Sequence, residues 1–212
     1  KMPLFREMKN SAIVTVLSTA FVMAVSLPAA YSFARFNTGE GHLLFFTLTT
    51  RMFPPVVAAI PFFFVFKSWG LLDTHIGLTL LYVYFNMSFA TFLLYGFFRE
   101  IPEELEHAAM VDGYGRISIF RRVIFPLIGP GAAITTVFCL IFAWNEFFFG
   151  YIFTRTVART VSFGLISHWG SVVVQWGPMA VGVIFAILPT LVAGWFMQRF
   201  IVRGLTFGAI KG

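Results

Sequence analysis

Charge is what this sequence has least of. Only 11% of its 212 residues are Asp, Glu, Lys or Arg, while 58% are hydrophobic and the mean hydropathy is +0.85. A soluble domain carries roughly a quarter charged residues. A chain this apolar cannot cover itself with a polar surface, so lipid must be its solvent. Cysteine is reduced to one residue, Cys139, which excludes an internal disulfide and a thiolate metal site. The four histidines, His42, His75, His107 and His168, lie scattered with no chelating spacing. No G-x-x-x-x-G-K-S/T phosphate loop is present, so the chain lacks the usual means of binding ATP. No Ser/His/Asp, Cys/His or metal constellation converges on one face, which argues against a membrane enzyme. The net charge of +6 forms no dense basic stripe, so nucleic acid is not an expected partner. The basic residues sit mainly at the ends of apolar runs, as anchors at a membrane surface do. The chain starts at Lys1 without a signal-peptide pattern and reads as one that lacks an upstream segment.

What is present is a set of long apolar runs. Crossing the hydrocarbon core takes about 20 residues of helix. Five runs qualify, at about 11–34, 43–66, 75–98, 124–149 and 178–198. Lipid offers no partner to unpaired backbone groups, so these runs are expected to be helices. The expected fold is therefore all-α, a polytopic transmembrane bundle in a single domain over 1–212. With five spans, Arg35, Arg99, Arg116, Arg121, Arg122, Arg199, Arg203 and Lys211 fall on one side. Lys1, Arg6, Lys9, Lys67, Arg155 and Arg159 fall on the other. The larger set marks the cytoplasm, and with it the C-terminus. Proline occurs at Pro28, Pro54, Pro55, Pro61, Pro130 and Pro189. Membrane helices tolerate it in general, and the adjacent Pro54 and Pro55 also fit an irregular span beside a translocation path.

Residues 100–123 are too polar to span. Pro102 suits the first position of a helix, followed by Glu103 and Glu104 at its positive end. Leu105, Ala108 and Ala109 fall on one face, and Gly113 after Asp112 marks a stop. A second short helix is expected over about 115–125, with Ile117, Phe120 and Ile124 at helical spacing among Arg116, Arg121 and Arg122. Pro126 then precedes the next span. On these residues alone, the pair reads either as a docking element or as an interfacial loop with a snorkelling basic helix.

The stretch EELEHAAMVDGYGRISIFRRVIFPL resembles the coupling loop of ABC importer permeases. That loop reads Glu-Ala-Ala, three residues, Gly, then about nine residues and Ile-x-Leu-Pro. The matching positions are Ala108, Ala109, Gly113, Ile124 and Pro126, with Phe125 where Leu is usual. His107 occupies the position of the motif's Glu. Glu106, one residue earlier, matches the first of the two adjacent acids that sugar-importer relatives often carry. A neutral His can still cap or hydrogen-bond there. Further stretches are similar to the maltose-type sugar permease branch: NSAIVTVLSTAFVMAVSLPAAYSFARF, RMFPPVVAAIPFFFVFKSWGLLDT, WNEFFFG and VRGLTFGAIKG. Together they cover most of the chain. Members of that branch usually have six spans, which implies one more ahead of the five.

The resemblance implies a subunit of a bacterial or archaeal cytoplasmic-membrane importer. Its loop over 101–125 would dock on a dimer of cytoplasmic ATPase subunits, which bind the ATP and Mg; this chain would hold no cofactor. A second permease subunit and an extracytoplasmic solute-binding protein would complete the complex. The coupling set implied is Glu106, His107, Ala108, Ala109, Asp112, Gly113, Ile124 and Pro126. Within the spans, charged and polar groups are the candidates for a substrate path. Arg51 either snorkels toward the cytoplasm or faces a wet cavity or subunit interface. Asn145 and Glu146, after Trp144, either contact sugar hydroxyls or supply helix-end polarity. The loop over 150–177, with His168, Trp169, Gln175 and Trp176, is implied to meet the binding protein. The competing function is a secondary transporter driven by an ion gradient. That class shows internal repeats and intramembrane acids, whereas Glu146 is the one acid within a run and the halves show no repeat.

Overall fold

The computed structural model describes residues 4–36, 38–39, 41–167 and 176–208. Every regular element among them is helical. Four long segments are apolar enough to cross a membrane, and a bent pair makes a fifth. Lys1, His168, Trp169, Gln175 and Lys211 lie outside the described residues.

Helix α1 runs from Leu4 to Phe36. Its 33 residues reach about 50 Å at 1.5 Å each, well past the hydrocarbon thickness. It therefore starts inside the stretch that reads as a polar lead. Glu7 and Asn10 are buried in it rather than trailing into solvent. Helix α4 spans His75–Glu100 and packs along α1 over most of its length. The seam between them carries small polar side chains: the Thr91 hydroxyl donates to Ser26 Oγ at 3.1 Å, and Ser26 donates to the Met87 carbonyl at 3.4 Å. Such residues let membrane helices approach closely and bind across the gap. Helix α7, Phe125–Trp144, closes the core against both. A Cβ on Gly131 would lie 2.6 Å from the Phe97 ring, so only glycine fits that crossing.

The run at 43–66 is two helices, α2 (His42–Met52) and α3 (Pro55–Ser68), set at 91°. A proline bars the residue before it from the α region. Two in succession leave Phe53 and Pro54 extended, at ψ 127° and 125°, while Pro55 restarts the next helix. Pro28, Pro61, Pro130 and Pro189 stay inside their helices, so it is the pairing that breaks the span. The run at 124–149 ends earlier than its hydropathy indicates, at Trp144. Residues 145–147 turn, and a short helix α8, Phe148–Phe153, follows. Helix α10, Trp176–Gly208, packs on α7 and, over Met179–Gln198, leaves most of its apolar surface exposed.

The end of the bundle that holds the N-terminal turn of α4 is closed by the loop after α8 and by helix α9, Val161–Ser167. Asp73 organises this closure. Its carboxylate accepts hydrogen bonds from the N–H groups of Arg155, Thr156, Val157 and Ala158, and from the Thr156 hydroxyl. Its own N–H donates to the Phe153 carbonyl at 2.8 Å. Partial burial acts to raise its pKa, but the four backbone donors outweigh that and hold it at about 2, below the ordinary 3.8. Asn10 adds two bonds to the carbonyls of Val157 and Arg159, and Glu7 pairs with Arg159 at 2.8 Å.

Candidate functional site

At the opposite end, α1 and α4 finish beside the polar segment. Pro102 does not open the helix there. It holds Ile101 extended, at φ −79° and ψ 123°, and so ends α4. Helix α5 starts two residues later and covers Glu104–Val111; the Glu103 carbonyl accepts from the N–H groups of Glu106 and His107. Its far end is a Schellman stop. Gly113 N–H donates to the Met110 carbonyl and Tyr114 N–H to the Ala109 carbonyl, both at 3.0 Å. Gly113 has φ +84°, and a Cβ there would meet nothing within 4 Å. Conformation, not space, is what calls for glycine.

The second short helix is α6, Arg116–Ile119, and it does not stand apart from the next span. A π-helical turn, Phe120–Ile124, joins it to α7, with Phe125 N–H bonded back to the Phe120 carbonyl. Pro126 has no N–H for the carbonyl four residues before it, and the wider turn absorbs that misfit. Pro126 thus lies in the first turn of α7 rather than before it.

The two faces of α5 differ sharply. Ala109 and Glu106 are its buried residues, whereas Leu105 and Ala108 are exposed, so the three-residue face expected from spacing is not the packed one. Glu106 points inward. Its carboxylate takes Arg35 Nε at 2.5 Å and the Tyr31 hydroxyl at 2.7 Å, with the two charged side chains only 9% and 5% exposed. Arg35 Nη2 also donates to the Ile101 carbonyl at 2.6 Å, and Glu103 lies 3.7 Å from Nη1. Both Glu106 oxygens are thus engaged within the chain, Oε1 by Arg35 and Oε2 by Tyr31. His107, Asp112 and Gly113 are exposed. So are Val111 at 88% and Ile117 at 77%, with Met110 and Tyr114 between them. Ile124 is fully buried and Pro126 is exposed. The sequence showed Arg35 only as the end of an apolar run and did not single out Tyr31. Their spacing of four puts both on one face of α1, which is the signal that was available.

The intramembrane candidates do not gather into one cluster. Arg51, at the end of α2, does not snorkel. Nη1 donates to the Phe85 carbonyl at 2.7 Å, and the guanidinium lies 4.3, 5.3 and 5.2 Å from the ring centres of Phe85, Phe89 and Phe142. Glu146 accepts from the N–H groups of Phe149 and Gly150, in the first turn of α8. Asn145 donates to the Ile141 carbonyl and to Thr190 on α10. Both serve helix ends, which is why the span stops at Trp144. Among the described residues no group of three or more His, Cys, Asp or Glu is placed to hold a metal.

The described residues thus form a multi-span bundle with a broken second span and a helix pair slung between two spans. It superimposes with a TM-score of 0.74 on a chain of a bacterial ABC transporter involved in the import of the acidic polysaccharide alginate, at 22% identity over 92% of this chain and 74% of that one. The chain belongs to the family described as the binding-protein-dependent transport system inner membrane component, which matches residues 22–203. It is 36% identical to the trehalose transport system permease protein SugB of Mycobacterium tuberculosis, over 96% of this chain and 76% of that protein. It is also 36% identical to the diacetylchitobiose uptake system permease protein DasC of Streptomyces coelicolor, over 96% and 74%.

Proposed function

We propose that this chain imports a sugar delivered by an external binding protein, driven by ATPase subunits that dock on α5 at the cytoplasmic face. The observation that carries the reading is the outer face of α5. This short helix, stopped at Gly113, presents Met110 and Val111 to the exterior with His107 beside them, and Tyr114 and Ile117, just past the stop, are exposed as well. An apolar face rimmed by polar groups at the membrane surface is what a protein partner covers. The partner binds the ATP and Mg, and the C-terminus lies in the cytoplasm. A second permease subunit is expected against α2 and α3. Helix α2 buries none of its residues and α3 buries only Ala58, Ala59 and Phe66. The sugar class draws its support from the relatives named for trehalose and diacetylchitobiose.

The test is reconstitution of the chain with its genomic neighbours in vesicles, followed by uptake of labelled trehalose, maltose and diacetylchitobiose with and without internal ATP. A Gly113→Pro variant removes the stop, because proline holds φ near −65° where the turn needs +84°. Uptake that needs ATP, ignores uncouplers and is lost in a variant that still assembles is the expected result. Uptake without ATP that collapses with the ion gradient would replace this reading with a secondary transporter.

A further inference from the structure

We propose that Arg35, with Tyr31, is a positioning residue for transport: it latches α5 to the end of α1 through Glu106, so that a push on α5 moves the α1–α4 pair. This rests on the reading of α5 as the ATPase-facing element.

Helix α5 has eight residues, too few to be stable alone. The residues it buries are Ala109, with one methyl, and Glu106, with a carboxylate. An apolar contact can slide, whereas hydrogen bonds have direction. The carboxylate is therefore the part that resists shear. Both of its oxygens are committed, one to Arg35 and one to Tyr31, and both partners sit on α1 rather than on the chain-adjacent α4. Arg35 also takes the Ile101 carbonyl, in the turn about which α5 would otherwise pivot on α4. A single guanidinium thus joins the ends of α1, α4 and α5. Across the small cavity lined by Arg35, Glu106 and His107, Arg116 of α6 lies 4.8 Å from the Phe36 ring and adds a second tie to α1. A buried ion pair is a poor way to gain stability, since its desolvation offsets most of its attraction. It is an effective way to fix a single arrangement.

The experiment uses the complete reconstituted complex and the sugar of the trehalose, maltose and diacetylchitobiose panel that the parent imports fastest. It measures solute imported per ATP hydrolysed, and the ATPase subunits that co-purify. Misfolding lowers transport and hydrolysis together, so the ratio separates a latch from a merely structural role. In Glu106→Gln the ATPase subunits are expected to remain bound while the ratio falls about tenfold, an ordinary coupling energy. Tyr31→Phe, which removes one hydroxyl, is expected to lower it about twofold to threefold. Arg35→Gln combined with Glu106→Gln is expected to be no worse than either alone, since both break one connection. The charge swap Arg35→Glu with Glu106→Arg is expected to recover part of the ratio. An unchanged ratio in Glu106→Gln and Tyr31→Phe overturns the latch. Loss of the ATPase subunits from Glu106→Gln overturns it as well, because Glu106 would then act in docking. A parent complex without ATPase subunits overturns the reading of α5 beneath it, an outcome visible before any variant is made.

Discussion

Asp73 offers the most direct test of how the far end of the bundle is held. The substitution is Asp73→Asn. Asp73 has φ +56°, a conformation that Asn tolerates about as well as Asp, so the backbone is not strained by the change. What changes is the clasp. Four successive N–H groups, from Arg155 to Ala158, converge on the carboxylate. An amide offers them one oxygen and turns an NH2 group toward the rest. The drop from 3.8 to about 2 sets a ceiling of about 2.5 kcal/mol on the carboxylate's contribution at neutral pH. The site is partly exposed, and screening reduces that to about 1 kcal/mol.

Hydrogen exchange of the 155–158 amides, in the complex held in lipid nanodiscs, reads this locally. Exchange is expected to be about fivefold faster in Asp73→Asn, with α4 and α7 unchanged. The sign with pH follows from a pKa lowered in the folded state. The stabilisation is present above the ordinary carboxylate range and fades as pH falls from 3.8 toward about 2. The parent's advantage over Asp73→Asn should therefore persist at pH 5 and be reduced by pH 3. Equal protection in the two proteins at neutral pH would refute the clasp. So would an advantage already lost at pH 5.

Other positions carry sharper contrasts. Gly131→Leu places atoms where Phe97 stands and is expected to lower thermal stability in detergent by about 1–3 kcal/mol, whereas Gly129→Ala, with open space at its Cβ, is expected to be neutral. Arg51→Met removes a guanidinium held by three rings and a carbonyl, and a loss of about 1–2 kcal/mol should appear in the same melt. Glu146→Ala strips two N–H groups in the first turn of α8 of their acceptor, and local exchange at Phe149 and Gly150 should rise by the equivalent of about 1 kcal/mol, with α7 unaffected.

The spans were legible because a bilayer imposes one rule on every residue of a run: stay apolar for about 20 residues. The break at Pro54–Pro55 was legible too, since two prolines together act locally. What the sequence hid is set by residues far apart in the chain. Glu7 and Asn10 look like a polar lead, and they are helical because Arg159 and the carbonyls of Val157 and Arg159 receive them. Hydropathy carries the fourth span past Trp144, but Glu146 prefers to cap α8. Glu106 looks like half of an exposed acidic pair until Arg35, 71 residues earlier in the chain, is placed beside it. Local periodicity contains none of these partners. The spacing of Tyr31 and Arg35 marked a face, yet nothing near them said what the face would meet.

The two ends of the bundle are fastened by different means, and the difference bears on where it can move. At the Asp73 end, backbone groups of one loop are gathered by side chains of α1 and of the turn before α4, so the loop is bound to the α1–α4 pair at many points. At the Arg35 end, the polar ties from the same pair to α5 converge on one carboxylate, Glu106, held by Arg35 and Tyr31. Between them α1 and α4 pack through apolar clusters and the Ser26–Thr91 contact and have no break; Pro28, the one proline within them, leaves α1 unbroken. The irregular backbone lies elsewhere, at Phe53–Pro54 in the second span and in the π-helical turn at Phe120–Ile124. Both junctions have lost regular α hydrogen bonds to proline, and both flank the α1–α4 pair rather than interrupt it. A force applied to α5 therefore meets a rigid pair first and yielding joints second. Rotation of α1 and α4 as one body, with bending taken up at Pro54 and at the π-helical turn, is the motion this arrangement favours.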